Sequence, residues 1–284
     1  MSYQVVFIIG AARSGTNMLR DCLTQFEDFS TWNCDEINLV WRHGNLGKPD
    51  DVLNSGDARD SIKLYIQRYF DRLARKTSAP IIVEKTCANS LRVGFLAEIF
   101  SHARFIHIVR DGRDVTFSAA KRWVAPIDFT YTLKKLWHVP VIDFPHHFVR
   151  YIQNRLAQLT SDEGKQKVWG PRFPLIDQFS KNKSLQEICA KQWVECVEHS
   201  YASLKAFDKV KQIEIRYEDF ISYPVKEMEK ILRWLGANQK QNDVAHAVKN
   251  VSRDQSQAWR NSASELEANA MEILSPTLTK LGYL

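Results

Sequence analysis

One stretch near the start of the chain, residues 5–22, restricts the possible folds more than any other. Residues 5–9 are apolar and mostly β-branched, which is typical of a buried strand. Gly10 ends this run, a loop of small and polar residues follows, and apolar residues then return at helical spacing. A glycine-bounded loop between a strand and a helix directs backbone amides at one point, where they favour an anion. The stretch therefore predicts an α/β protein with a phosphate cradle at the end of its first strand.

The residues of this loop indicate which anion it takes. A loop for nucleoside triphosphates has the pattern GxxxxGK[ST], in which the lysine binds phosphate and the hydroxyl binds magnesium. Gly10 and Gly15 keep that spacing, but Thr16 replaces the lysine and Asn17 replaces the hydroxyl residue. The positive charge lies inside the loop instead, at Arg13. We therefore predict a cradle for a phosphate-like group without a metal, formed by Arg13, Ser14, Gly15, Thr16 and Asn17.

The rest of the chain alternates between short apolar runs and helical patterns. Residues 81–83, 104–109 and 213–217 have the composition of further buried strands. This alternation predicts an α/β fold with a P-loop-like, mostly parallel sheet flanked by helices, in a single domain over residues 1–284. Residues 123–180 are rich in proline and tryptophan and lack a periodic core, and we interpret them as a helical or irregular insertion over the site.

Two further helices, one loop and one buried histidine can be predicted from local patterns. Apolar residues at helical spacing predict a single helix over residues 89–100 and a short helix near residues 146–159. Residues 43–57 are rich in turn-forming residues and predict a mobile surface loop. His107 lies inside an apolar run, so we expect it in the core.

A second group of cationic residues follows the run at residues 104–109. Arg110 comes directly after that run, and ligands of α/β folds bind where the strands end. Ser118 and Arg122 are four residues apart and share one face if a helix starts near Asp114. Arg110, Ser118 and Arg122 then supply two cationic forks and a hydroxyl, which suits a second phosphate.

Two further polar residues fall at the same predicted edge. Lys85 follows the strand at residues 81–83 after a single glutamate, and Glu36 lies in the segment that returns the chain to the sheet edge. A carboxylate near an anion cradle is costly unless it has a function, but Asp35 and Glu36 together also fit a solvated acidic turn. The residues alone leave both alternatives open.

Composition narrows the classes of function. A net charge of +6 favours an anionic partner, and since no recognised nucleic-acid module is present, we expect a polyanionic small molecule. No apolar run approaches the roughly 20 residues of a membrane span, and the start of the chain lacks a secretory signal pattern. The five cysteines match no zinc spacing. We therefore expect a cytoplasmic protein with reduced cysteines and no metal site.

Four segments together carry a resemblance to a known family. They are GAARSGTNMLR at residues 10–20, IVEKT at 82–86, RFIHIVRDGRDVTFSAAKR at 104–122 and IRYEDF at 215–220. These segments resemble the sulfotransferase family, which transfers a sulfuryl group from 3′-phosphoadenosine 5′-phosphosulfate (PAPS) and leaves adenosine 3′,5′-bisphosphate (PAP). The tyrosylprotein sulfotransferase branch is the most similar, since it also has an acidic pair soon after the loop.

The resemblance implies which residues bind PAPS. Residues 13–17 would bind the 5′-phosphosulfate. The 3′-phosphate would be bound by Arg110, Ser118 and Arg122, with Tyr217 close to them.

The chain departs from the family pattern at two places in this binding site. Asn17 stands in place of a second threonine in the loop. Ala258 stands in place of a lysine that binds the nucleotide, so Arg260 would substitute for it.

The resemblance also implies catalytic roles. Glu36 matches the general base of the branch, and Lys85 matches a lysine that stabilises the sulfuryl group during transfer. Ser252 matches a serine near the bridging oxygen, in a segment 252–255 that resembles the C-terminal serine element of the branch. Arg13 would stabilise the leaving phosphate together with Lys85.

These residues predict sulfuryl transfer to a hydroxyl of a carbohydrate, a small metabolite or a tyrosine. Two other functions remain as alternatives. A magnesium-dependent P-loop kinase or ATPase would need the lysine and hydroxyl that Thr16 and Asn17 replace. A catalytically inactive nucleotide-binding protein would have no use for both Glu36 and Lys85.

Overall fold

The structure is a computed structural model that describes residues 3–124, 143, 169–237, 240–252 and 266–284. The helix predicted near residues 146–159 and Arg260 lie outside the described residues. The strands are β1 Gln4–Ile9, β2 Phe29–Ser30, β3 Ile81–Glu84, β4 Arg104–Val109 and β5 Gln212–Arg216. The α-helices of the described residues are α1 Thr16–Leu23, α2 Asn38–Trp41, α3 Asp60–Thr77, α4 Val93–Ile99, α5 Gly112–Trp123, α6 Ile176–Phe179, α7 Leu185–Leu204, α8 Tyr217–Ser222, α9 Pro224–Leu235, α10 Gln241–Ala247 and α11 Ala268–Lys280. Two short 3-10 helices are Ser55–Asp57 and Cys87–Leu91.

The strands form one parallel sheet in the order β2-β3-β1-β4-β5. β1 is central and pairs with β3 on one side and β4 on the other. Phe7 is opposite Glu84 and Ile9 is opposite His107, so the ends of the three central strands lie close together. The predicted mostly parallel sheet is confirmed, and its carboxyl edge carries the candidate residues.

Both faces of the sheet are covered, which explains why β1 is apolar along its whole length. Val6 and Ile8 point to the face covered by α1 and α9, in a cluster with Leu19. Phe7 points to the opposite face and packs against Trp41 and the helix α3. This two-sided burial holds the loop after β1 on a rigid support.

Two differences from the sequence prediction have a clear physical reason. The strand β2 was not predicted, because two residues are too short to show any periodicity. The single helix predicted over residues 89–100 is instead a 3-10 helix followed by α4. The break lies at Arg92, which has φ −149° and ψ 31° and whose side chain is fully buried.

Three smaller predictions have outcomes in the described residues. His107 is buried and forms a hydrogen bond with Ser200 at 2.9 Å, so its place in the core is confirmed. All five cysteines are free thiols, as predicted. Residues 43–57 were predicted as a mobile surface loop, but part of this segment is fixed to the core: buried Arg42 donates a hydrogen bond to buried Asp51 at 3.1 Å. None of the helices that the structure describes has the length and apolar character needed to cross a membrane.

Candidate active site at the carboxyl edge of the sheet

The loop after β1 is tightly wound against its neighbours. A Cβ atom on Gly10 would lie 2.7 Å from the backbone oxygen of Ile108. Gly15 has φ 89°, and a Cβ there would lie 2.5 Å from a ring carbon of Tyr217. Arg13 also has a positive φ of 70°, which is uncommon outside glycine and frequent at functional sites. The loop therefore needs both glycines to fit between β4 and Tyr217.

The polar groups of the loop face the start of α1. Ser14 and Thr16 are buried, and α1 begins at Thr16 without a side-chain cap on its first amides. The side-chain oxygen of Asn17 is buried and has no hydrogen-bond partner in the part of the chain that the structure describes. Free amides at a helix start suit an anionic ligand with several oxygens, whereas the Asn17 oxygen is an acceptor and suits a hydrogen-bond donor.

The second cationic group is joined to this loop through Arg13. The Nε atom of Arg13 donates to Oγ of Ser118 at 2.9 Å, and the backbone oxygen of Arg13 accepts from Nη1 of Arg110 at 3.0 Å. Desolvation lowers the pKa of Arg13, and the charges of Arg110 and Arg122 lower it further. Three arginines therefore repel one another here, and an anion between them would relieve that repulsion.

Arg110 is itself held in a fixed orientation. Its guanidinium lies 4.2 Å from the ring centroid of Tyr217, a cation–π contact. It also pairs with Asp114 at 3.6 Å, one helical turn along α5. Tyr217 therefore contacts Arg110, and it also packs close to Gly15.

Local capping fixes the start of α5 and with it the direction of Ser118. The side chain of Asp111 accepts from the backbone nitrogen of Arg113 at 2.9 Å, which is an N-cap bond. The backbone nitrogen of Asp111 donates to Glu218 at 3.0 Å, and Tyr283 donates to the same carboxylate at 2.9 Å. The helix begins at Gly112, two residues earlier than the expected start near Asp114.

Glu36 and Lys85 meet on the other side of β1. The Nζ atom of Lys85 donates to Oε1 of Glu36 at 3.2 Å, and the backbone nitrogen of Cys87 donates to the same oxygen at 3.2 Å. The side chain of Lys85 is only 2% exposed, while that of Glu36 is 23% exposed. Burial alone lowers the pKa of Lys85, but the Glu36 carboxylate raises it above its usual range, so Lys85 stays protonated. The pair places a partly buried carboxylate beside a buried cation, so Glu36 does not belong to a solvated acidic turn.

Sequence reasoning missed Cys87, which connects the two halves of the site. Its Sγ atom lies 3.7 Å from Oγ1 of Thr16 in the first loop, while its backbone nitrogen binds Glu36. Burial raises the pKa of the Cys87 thiol to about 12, so it is protonated at neutral pH. The signal was its place two residues after Lys85 at the same sheet edge.

The remaining candidate residues lie as follows. Arg122 is one turn after Ser118 on α5, and its charge reaches Arg13. Ser252 is exposed and ends the described stretch 240–252, so its place near the bridging oxygen stays a prediction. In the residues that the structure describes, no three histidine, cysteine, aspartate or glutamate side chains lie close enough together to hold a metal ion.

Comparison with known proteins decides the family. The model of the sulfotransferase family matches residues 5–163 and 172–241, well over half of the chain. This chain belongs to the sulfotransferase family. The matched residues of this sulfotransferase include both cationic groups, Glu36 and Lys85, but neither Ser252 nor Arg260. No curated protein matches it.

Solved sulfotransferases share its fold. The sulfotransferase STF9 from Mycobacterium avium is similar with a TM-score of 0.58 and 13% identity, over 99% of this chain and 77% of that one. The sulfotransferase domain of the Synechococcus PCC 7002 olefin synthase has a TM-score of 0.56 and 12% identity, over 98% and 96% of the two chains. The sulfotransferase domain from the curacin biosynthetic pathway has a TM-score of 0.55 and 14% identity, over 97% of each chain. The predicted P-loop-like α/β fold is confirmed.

The prediction of a PAPS-dependent sulfotransferase is confirmed at the level of the family. This assignment favours sulfuryl transfer over the kinase or ATPase alternative. The similarity to the tyrosylprotein branch stays a prediction, as do the roles of the individual site residues.

Proposed function

We propose that this sulfotransferase moves the sulfuryl group of PAPS to a hydroxyl of a carbohydrate or small metabolite, with Glu36 as general base. One observation carries the proposal: Arg13 joins the two cationic groups. Its side chain contacts Ser118 on α5, and its backbone oxygen contacts Arg110. A single ligand with an anionic group at each end therefore suits this edge of the sheet.

The residues present fit PAPS. The loop of residues 13–17 offers the uncapped backbone amides at the start of α1 to the 5′-phosphosulfate. Arg110, Ser118 and Arg122 offer two guanidinium groups and a hydroxyl to the 3′-phosphate. When bound, PAPS supplies an activated sulfuryl group on a phosphate that can leave with the electrons of the broken bond.

Arg13 and Lys85 stabilise the negative charge that develops on the leaving phosphate and on the group in transfer. A fixed cation or donor of this kind lowers the barrier by about 3–4 kcal/mol. Lys85 suits this role because it is buried and protonated beside Glu36. No step requires a metal if these two cations supply the charge.

Glu36 accepts the proton of the acceptor hydroxyl as the new sulfur–oxygen bond forms. A positioned general base contributes about 10²–10⁴-fold to the rate. The side chain is 23% exposed, so a hydroxyl from outside can reach it, and two hydrogen bonds fix its Oε1 atom. We propose two further roles on the resemblance alone, Ser252 near the bridging oxygen and Arg260 as a nucleotide-binding residue, in a cytoplasmic enzyme.

Two experiments test this function. Calorimetric titration with PAP, with and without magnesium, should give tight binding that does not depend on the metal, while ATP with magnesium should bind weakly. Incubation with PAPS labelled in its sulfuryl group and a panel of carbohydrates, phenols and tyrosine peptides should then label an acceptor. Magnesium-dependent ATP binding would support the kinase alternative. Tight PAP binding without label transfer to the panel or to a host extract would support the inactive nucleotide-binding protein.

A further inference from the structure

Glu84, the last residue of β3, is a carboxylate in a fully buried position, where an ionised group is costly in free energy. It is 1% exposed, and burial raises its pKa to about 7. Its carboxylate accepts three hydrogen bonds: from Nε1 of Trp41 at 3.1 Å, Oγ1 of Thr86 at 2.5 Å and Nδ2 of Asn89 at 2.6 Å. A buried carboxylate contributes little to stability compared with an apolar residue of similar volume. Stability therefore does not explain why a carboxylate with these hydrogen bonds is buried at position 84.

The first chain of bonds leads from Glu84 to the residue after Glu36. The hydroxyl of Thr86 donates its one proton to Glu84 and accepts from the backbone nitrogen of Ile37 at 3.2 Å. Thr86 is fully buried, so it cannot touch an acceptor. Its hydroxyl joins the end of β3 to the backbone beside Glu36.

The second chain of hydrogen bonds leads from Glu84 to Asn38, the residue after Ile37. The side-chain oxygen of Asn89 accepts from Nε of Arg92 at 2.7 Å, and Nη2 of Arg92 donates to the side-chain oxygen of Asn38 at 2.5 Å. Arg92 is 1% exposed. Starting from Glu84, the two chains thus hold Ile37 and Asn38, the two residues that follow Glu36.

This support matters because of where Glu36 lies. It belongs to neither a strand nor a helix, and α2, which begins at Asn38, has only four residues. Within α2, Val40 and Trp41 bind the carbonyl oxygen of Ile37 at 2.9 and 3.3 Å, which leaves its amide and the side chain of Asn38 to be held by other groups. A displacement of about 1 Å at a reacting group can cost about 10²-fold in rate. The carboxylate contacts with Lys85 and Cys87 depend on that backbone staying in place.

We propose that Glu84 is a positioning residue for the general base, acting through Thr86 on Ile37 and through Asn89 and Arg92 on Asn38. The inference rests on the proposed function of Glu36. It adds a polar support behind the site, built on the two residues that flank Lys85.

Thr86→Val tests this most sharply, because it removes the hydroxyl and keeps the shape. We expect kcat on the labelled acceptor to fall 10- to 100-fold while the Kd for PAP stays within threefold. Thr86→Ser keeps the hydroxyl and should stay within threefold of the wild type. Thr116→Val is the matched control: Thr116 is also fully buried, and its hydroxyl has no hydrogen-bond partner among the described residues. It should leave kcat unchanged.

A second readout is independent of any acceptor. Crystal structures of the wild type, Thr86→Val and Thr86→Ser, solved without ligand and with PAP, give the distance from Glu36 to Lys85. We expect the carboxylate to leave Lys85 or to take two positions in Thr86→Val alone. Asn38→Ala removes the last hydrogen bond of the second chain at a half-buried residue and should lower kcat three- to tenfold. This variant tests the proposal if Thr86→Val does not fold.

The outcomes separate this inference from the function on which it rests. An unmoved Glu36 with unchanged kcat in Thr86→Val would overturn the inference alone, as would a loss in Thr86→Ser or Thr116→Val equal to that in Thr86→Val. A wild type that neither binds PAP nor transfers sulfate would overturn the proposed function, whatever position Glu36 takes.

Discussion

Replacing Glu36 by glutamine should separate nucleotide binding from the transfer step. In Glu36→Gln the side-chain carbonyl can still accept from Lys85 and from the backbone of Cys87, which lie 3.2 Å from Oε1. The geometry is therefore kept, and what is lost is a group that can take a proton. The contacts of Arg13 with Ser118 and Arg110 do not involve Glu36.

The expected loss is that of a general base. Turnover should fall about 10²–10⁴-fold, or about 3–5 kcal/mol in the barrier at 1.36 kcal/mol for each factor of ten. The Kd for PAP should stay within threefold. The side chain of Lys85 is only 2% exposed, so loss of the Glu36 charge leaves a buried cation and should cost up to about 3–5 kcal/mol in the free energy of unfolding.

Steady-state transfer of labelled sulfate, calorimetry with PAP and urea unfolding measure these three quantities. Asp35→Asn is the matched control, since Asp35 is the adjacent acid and pairs with Arg20 at 3.4 Å instead of with Lys85. It should keep kcat within threefold. The reasoning is refuted if Glu36→Gln keeps full turnover, or if Asp35→Asn loses as much.

Three further results are expected. Gly15→Ala should weaken PAP binding at least about tenfold, because φ is 89° and the new Cβ would lie 2.5 Å from Tyr217; Gly47→Ala, with no atom within 4 Å of its Cβ, should bind PAP normally in the same calorimetric titration. The pKa of Glu84 is raised from 4.5 to about 7, so between these pH values the folded state holds the proton of Glu84 while the unfolded state has lost it. Urea unfolding should therefore show the wild type losing up to about 3 kcal/mol relative to Glu84→Gln as the pH rises from about 4.5 to 7.5, and a gain would contradict the burial argument. Thr116→Val should raise the free energy of unfolding by about 1 kcal/mol, because it removes a buried hydroxyl without a partner; a decrease would mean that the hydroxyl is satisfied.

Local patterns were enough to predict the parts of the site that lie on one element. The strand, loop and helix at residues 5–22 follow from apolar runs and glycine spacing, and both glycines are required by close contacts. Ser118 and Arg122 share a face because they are four residues apart in α5. Arg110 and Lys85 reach the same edge because both follow parallel strands.

What could not be predicted depends on contacts between distant segments. Cys87 carries no motif, and its contacts with Thr16 and Glu36 arise only because β3 brings it beside both residues. Buried Asp51 sits in a stretch with the composition of an exposed loop, and its burial depends on Arg42 and on the backbone of Arg172. A single-sequence pattern has no information on such pairings.

A crystal structure of this protein with PAP tests the central claim most directly: one nucleotide spans the two cationic groups. The 5′-phosphate should lie on the amides of residues 13–17, and the 3′-phosphate should contact Arg110, Ser118 and Arg122. A nucleotide with both phosphates on one group, or bound away from Arg13, would contradict the account.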